Sequence, residues 1–388
     1  MKRVWRKLLA RIGYGDPHNE LENTSGASVR RNNKGRITHV TLRDRTITDG
    51  DLSHLEPLAC LRRLHLYGPR VIGSGLRYIA SLVALEELSV RGIPLTDEGL
   101  VHLKALRNLV RLSLGETKVT DAGLDHLQGL SKIQTLSLQA TRITDDGLEQ
   151  IKAMEGIREL NLSQTEITDN GLAKLVALNY LTELDLYNCE QVTDAGMAHI
   201  SQLGDLQRLV APNKMTGVGL RQVVKLTNLQ ALELSSTQIT DADVGQLTGM
   251  RLRALALPDA ARTDSGFAHY LESVRYQTDL HLDDWEITDS GLGLIKGYSN
   301  LKSLRLRNTR ITDAGLVSLK GMDYLDYLTL DNTRVTDRGL VELTGLTNLK
   351  HLSVKNTDCT SESIEALKQA LPRCEILASP PRGSRSPG

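Results

Sequence analysis

The stretch Leu109–Leu130, LVRLSLGETKVTDAGLDHLQGL, decides the fold. Its Val119-Thr120-Asp121 recurs as Leu95-Thr96-Asp97 before it and as Ile143-Thr144-Asp145 and Ile167-Thr168-Asp169 after it, in steps of 24 residues. A fixed period of that size marks a repeat array, which lengthens by adding turns and not by adding domains. Inside the unit the periodicity changes. Leu112-Ser113-Leu114 alternates, which reads as a short strand with one buried side. Leu124, Leu127 and Leu130 follow at spacings of three, which is one apolar helical face. Neither piece can bury its apolar side alone, so successive units must stack and share a core.

The frame extends in both directions. Upstream it begins with Ile37, Val40 and Leu42 and passes through Leu61-Leu64-Leu66 and Leu85-Leu88-Val90. Downstream it passes through Ile133, Ile157, Leu181, Leu206, Leu229, Leu252, Leu301, Leu325 and Leu349 to a closing Leu371-Cys374-Ile376. This L-x-x-L-x-L frame, followed by T-x-[IV]-T-D-x-G-L, resembles the leucine-rich repeat family, in the variety found in F-box leucine-rich proteins and in long bacterial arrays. Cys189, in YNCEQVTDAGM, departs from the usual Thr and is closer to the cysteine-containing form. The resemblance implies an α/β fold: a right-handed solenoid or horseshoe with a parallel sheet on the concave side and helices on the convex side. It also implies binding without catalysis. The expected organisation is a basic segment and linker over residues 1–35, a solenoid of about 14 repeats over 36–377, and a disordered tail over 378–388. Gly15 to Asn33, rich in Asn, Gly and Ser, reads as linker.

Lys plus Arg and Asp plus Glu balance at 47 each, so no global field favours nucleic acid or an anionic membrane, and no nucleic-acid partner is expected. Cys60, Cys189, Cys359 and Cys374 lack paired spacing, which fits buried thiols in a reducing, cytoplasmic compartment. No run of about 18 apolar residues is present to span a bilayer. Met1–Tyr14, MKRVWRKLLARIGY, carries no acid, and as a helix it would set Val4, Trp5, Leu8, Leu9 and Ile12 against Lys2, Arg6 and Lys7. Three readings of it stand open: a cap on the end of the array, a weak interfacial membrane anchor, and a targeting segment. Oligomeric state has no signature.

The recurring polar residues read as structural. Each Asp before a helix, as Asp97, Asp121, Asp145 and Asp169, is placed to accept amide hydrogens of its own first turn. A row of calcium ligands is the alternative, weakened because each repeat offers one carboxylate; neither metal nor cofactor is expected. Thr117, Thr141, Thr165, Thr237, Thr309, Thr333 and Thr357 read as hydroxyls bonding loop backbone, and Gly123, Gly147, Gly171 and Gly315 as sites of close packing.

Function is left to the strand residues between and after the leucines. In order they give a basic stretch with Arg43, Arg62, Arg63, His65, Tyr67 and Arg91, then an acidic one with Glu159, Glu183, Asp185, Tyr187 and Glu233. Asp279, His281, Asp283 and Asp284 follow, then Lys302, Arg305, Arg307, Tyr327, Lys350 and Lys355. Alternating zones would orient an elongated protein partner, and exposed Tyr beside Arg is a common anchor. A solvated charged face is the competing reading. The register fails over Leu257–Trp285, which holds Phe267, Tyr270, Tyr276 and Trp285. That stretch is either a repacked turn or an aromatic patch around Trp285. G-x-x-x-x-G-K-[ST], H-E-x-x-H and G-x-S-x-G are not present, and no catalytic residue is assigned. The expected function is a non-enzymatic scaffold or adaptor that binds another protein. The alternative is the recognition subunit of an SCF-type ubiquitin ligase.

Overall fold

A computed structural model describes residues 26–275 and 277–379. The chain divides into two compact units, Met1–Thr237 and Gln238–Gly388. A stack in which each turn packs only on its neighbours has no long-range core, so its compact units follow local packing. Met1–Tyr14 and the tail from Pro380 lie outside the described residues.

Unit 1 is built on a strand ladder. It runs through β1 (Ala27–Arg31), β2 (Ile37–Leu42), β3 (Arg63–Leu66), β4 (Glu87–Ser89) and β5 (Arg111–Ser113). It continues through β6 (Thr135–Ser137), β7 (Glu159–Asn161), β8 (Glu183–Asp185), β9 (Arg208–Val210) and β10 (Ala231–Glu233). From β2 onward the pairing is parallel and the register never slips. Val40, Leu64, Leu88, Leu112, Leu136, Leu160, Leu184, Leu209 and Leu232 face one another across it. None of the nine is more than 2% exposed. Short helices such as Asp121–Leu124, continued by a 3₁₀ turn over Asp125–Leu127, follow the strands and bury the helix leucines.

β1 is a departure from expectation. It pairs antiparallel with β2, so part of the stretch read as linker is sheet. Ala27 and Val29 alternate inward, a two-residue signal too short to stand out beside the Asn and Gly around it. A register shift between Arg30 and Arg31 breaks the outer strand, a feature that discourages further strands from adding.

In unit 2, β11 (Ala254–Ala256) stands apart from a five-stranded parallel sheet. That sheet comprises β12 (Asp279–His281), β13 (Ser303–Arg305), β14 (Tyr327–Thr329), β15 (His351–Val354) and β16 (Glu375–Ala378). Between β11 and β12 the chain makes a ten-residue helix, Asp264–Ser273. Among the described residues, only the isolated bridges Leu252 to Val274 and Thr263 to Glu286 join these turns by strand-type pairing.

The aspartates bind turn to turn, which corrects the helix-cap reading. Asp121 Oδ1 accepts the amide of Thr144 at 2.9 Å, and its Oδ2 accepts the Thr144 hydroxyl at 2.7 Å, in the next repeat. Asp97 does the same for Thr120, Asp145 for Thr168, Asp289 for Thr312 and Asp313 for Thr336. The threonine, not the aspartate, is the N-cap of its own helix. This also explains the glycine of T-D-x-G. A methyl on Gly147 would overlap Asp121 Oδ1, and a methyl on Gly171 would overlap Asp145 Oδ1. The second threonine series back-bonds as expected: the hydroxyls of Thr117, Thr141 and Thr165 each donate to the carbonyl three residues earlier at 2.6 Å. Cys189 takes the next such position and donates to Leu162 O at 3.1 Å; burial pushes its thiol up to about 11. Cys189 is buried, but Cys60, Cys359 and Cys374 are only partly so, and all four are free.

Candidate functional site on the sheet face

The strand residues that alternate with the buried leucines form two rows on the open face of each sheet, because successive side chains point to opposite sides. In unit 1 one row runs Arg63, Glu87, Arg111, Thr135, Glu159, Glu183, Arg208. The other runs His65, Ser89, Ser113, Ser137, Asn161, Asp185, Val210, Glu233.

The first zone is not a free basic surface. Arg63 Nε lies 3.4 Å from Glu87, His65 Nε2 lies 2.7 Å from the same carboxylate, and Arg62 pairs with Glu86 at 3.0 Å. Arg91 Nε donates to Glu116 at 3.0 Å, and Arg43 stacks over Tyr67 at 5.5 Å. The basic zone expected from Arg62, Arg63 and Arg91 is therefore neutralised by acids one strand further on.

The acidic zone is compensated only in part. Glu159, Glu183 and Asp185 line a depression of about 240 Å³ with Thr135, Ser137, Asn161 and Arg208. Glu233 follows Asp185 two strands along the same row. Arg208 reaches Glu183 at 3.9 Å, and it is the one cation paired with any of these four acids among the described residues. Neutral donors hold the rest: Thr135 Oγ1 to Glu159 at 3.1 Å, Asn161 Nδ2 to Asp185 at 3.1 Å, and the Tyr187 amide to Asp185 at 2.9 Å. Burial raises the Asp185 carboxyl above its usual range, against the lowering by the Tyr187 amide and Arg208. Tyr187, 42% exposed, stands at the exit of β8 beside this depression. Arg208 had no place among the expected site residues; the strand pairing of β9 with β8 brings it there.

In unit 2 the sheet face carries Arg305 over the Tyr327 ring at 5.4 Å, with Tyr327 and His351 rings 6.0 Å apart. The Asp283 carboxylate accepts the Arg307 amide at 2.8 Å, so it serves the backbone of the next turn. Trp285 is not a surface anchor. It is 8% exposed and meets Phe267 edge-on at 5.9 Å and Tyr270 at 5.7 Å. The indole fills the position of the back-bonding threonines, one period before Thr309, and Phe267 fills a helix-leucine position. The two bulky rings repack the irregular turn from inside. A depression of about 460 Å³ beside β16 is lined by Val354, Ile364 and Ala378.

Among the described residues no group of three His, Cys, Asp or Glu side chains is placed to hold a metal ion. No described helix is long and apolar enough to cross a membrane.

The family model described as Leucine Rich repeat matches the chain at residues 157–176, 177–201, 225–245 and 299–320. A leucine-rich-repeat protein of Leptospira interrogans superposes with a TM-score of 0.54 at 20% identity, covering 97% of this chain and 98% of that one. TLR13 in a complex with ssRNA13 superposes with a TM-score of 0.52 at 17% identity, covering 88% of this chain and 62% of that one. At these identities the likeness concerns the fold. No curated protein sequence matches significantly. The repeat matches, the recurring leucine frame and the shared fold lead to one assignment: the chain carries leucine-rich repeats and has the leucine-rich-repeat fold.

Proposed function

We propose that unit 1 binds a protein partner through the acidic face around Glu159, Glu183, Asp185 and Glu233, and that the occupant is a segment rich in Lys or Arg. The observation that carries this reading is the charge: four carboxylates on β7, β8 and β10 share one pairing cation, Arg208. Elsewhere on this sheet Arg62, Arg63 and Arg91 are paired with carboxylates. Like charges gathered on one face are unfavourable unless a partner brings the opposite charge, and such complementarity sets orientation and on-rate. Tyr187, exposed at the exit of β8, supplies the aromatic anchor that charge alone lacks. The same carboxylates repel nucleic-acid phosphates, which favours protein over RNA or DNA for this face.

The role is that of a binding module, scaffold or adaptor, without chemistry of its own. The ubiquitin-ligase alternative draws on the repeat resemblance alone, and no feature of the structure favours it.

Affinity purification from the native cell with quantitative mass spectrometry tests this. The wild-type chain is compared with a Glu159→Lys, Glu183→Lys, Glu233→Lys variant whose melting is first shown intact. Loss of one partner from the variant, restored when that partner's basic residues are reversed, is the expected result. Equal recovery of every partner removes the acidic face as the binding site.

A further inference from the structure

Strands β13 and β14 of unit 2 set Arg305 and Thr329 side by side, as direct register partners on the open sheet face. Each has a buried polar atom with no hydrogen-bond partner: Nε of Arg305 and Oγ1 of Thr329. Buried polar groups are nearly always satisfied, and two orphans side by side destabilise a sheet that gains nothing from them.

Arg305 is nevertheless held in place. Its guanidinium lies over the Tyr327 ring at 5.4 Å, that ring packs against His351 at 6.0 Å, and His351 Nδ1 is anchored to Glu375 at 3.1 Å. The nearby acids serve other groups. Asp331 accepts the Ser353 hydroxyl at 2.6 Å and the Lys355 amide at 2.7 Å, while Asp283 accepts the Arg307 amide. Among the described residues no carboxylate pairs with Arg305, so a positioned cation is left with an unused donor.

The missing group must accept from a guanidinium, which can only donate, and must also satisfy a hydroxyl on the neighbouring strand. Two oxygens on one anionic centre meet both demands, and the planar guanidinium fork fits carboxylate and phosphate alike. We propose that Arg305 and Thr329 form a binding site for an oxyanion, a carboxylate or a phosphate group. The site is independent of the acidic face of unit 1 and stands or falls without it.

The full chain, labelled with ¹⁵N-arginine, is titrated with inorganic phosphate and separately with acetate into the millimolar range, with ionic strength held by chloride. Arg305→Lys assigns the Nε–H resonance by its disappearance. That resonance moves saturably with at least one probe: phosphate alone identifies a phosphoryl ligand, acetate alone a carboxylate. Thr329→Val weakens the apparent affinity about tenfold, the size of one lost hydrogen bond to a charged group. No movement with either probe overturns the site, as does an affinity unchanged by Thr329→Val, which marks simple ion pairing. Thermal melting of the free protein gives a second check. Thr329→Val, which replaces an unsatisfied hydroxyl with a methyl of the same shape, raises the melting temperature; a fall shows that the hydroxyl is satisfied internally and removes the proposal.

Discussion

The rim where each strand hands over to its helix and the open face of the sheet follow opposite rules. At the rim, Asp, Thr and Gly repeat almost without change because each residue is fixed by the turn before or after it: Asp121 holds Thr144, and Gly147 makes room for Asp121. On the face, the row Arg111, Thr135, Glu159, Glu183, Arg208 passes from basic through neutral and acidic to basic, because the stacking of the turns does not require one residue type there. A repeated residue in this chain is a joint between turns, and a varied one is free for recognition.

Breaking the joint gives the largest effect. Gly147→Ala places a methyl against Asp121 Oδ1 and close to Ile143 Cγ2, so the carboxylate must leave its two bonds to Thr144. Crowding and the loss of charge-assisted bonds together cost about 3 kcal/mol. Chemical denaturation of the single variants and of Gly147→Ala with Asp121→Ala measures the coupling. The double variant loses less than the sum of the two, since both changes remove the same contact. Strict additivity shows that the glycine is kept for another reason.

A smaller effect sharpens the same rule at its exceptions. Three threonines have no aspartate in the repeat before them. Thr48 opens the series, Thr96 follows Gly73, and Thr240 follows Gly217. Each is served by an acid of its own turn: Thr48 by Asp51 at 2.9 Å, Thr96 by Glu98 at 2.5 Å and Thr240 by Asp243 at 3.0 Å. Asp243→Gly, which restores the consensus T-D-x-G, is therefore destabilising by about 1 kcal/mol, the loss of a cap. Consensus substitutions ordinarily stabilise, so denaturation of this variant decides between the joint rule and simple repeat averaging.

The leucine frame was legible in the sequence because it lies within one repeat, and the period because that frame recurs at a fixed step. The errors concern relations that span two. Asp121 reads as a cap for its own helix until its partner, Thr144, is seen 23 residues on. Arg62, Arg63 and Arg91 read as a basic patch because Glu86, Glu87 and Glu116 belong to the following turn. Aligning the sequence by its own period would have set these pairs beside each other. It would also have placed Trp285 in the buried threonine column and shown T-D-x-D at Asp51 and Asp243 as the sign of a missing neighbour. The acidic face was legible as a set, since Glu159, Glu183, Asp185 and Glu233 come together as the spacing implies. β1 was not, because antiparallel pairing breaks the repeat on which the reading depends.

The smallest effect separates rim from face by the sign of a pH dependence. Asp337, at the rim, accepts the hydroxyls of Ser363 and Thr360 and the Thr360 amide, and these bonds, the Ser363 hydroxyl foremost, hold its carboxyl below the usual range. A carboxyl lowered by folding contributes stability above its unfolded pKa, and that contribution is lost as pH falls through the folded value. Asp185, on the face, is raised by burial. Its ionisation is harder in the folded chain, so its contribution is most favourable below the unfolded pKa and is lost as pH rises through the folded value. Asp337→Asn therefore lowers stability at neutral pH and makes little difference in acid. Asp185→Asn relieves the chain at neutral pH and also makes little difference in acid. Urea midpoints for both variants between pH 3 and pH 7 test the contrast. If both curves move the same way, the acids of the face are as structural as those of the rim, and the charge gathered around Asp185 is held by the fold and needs no partner.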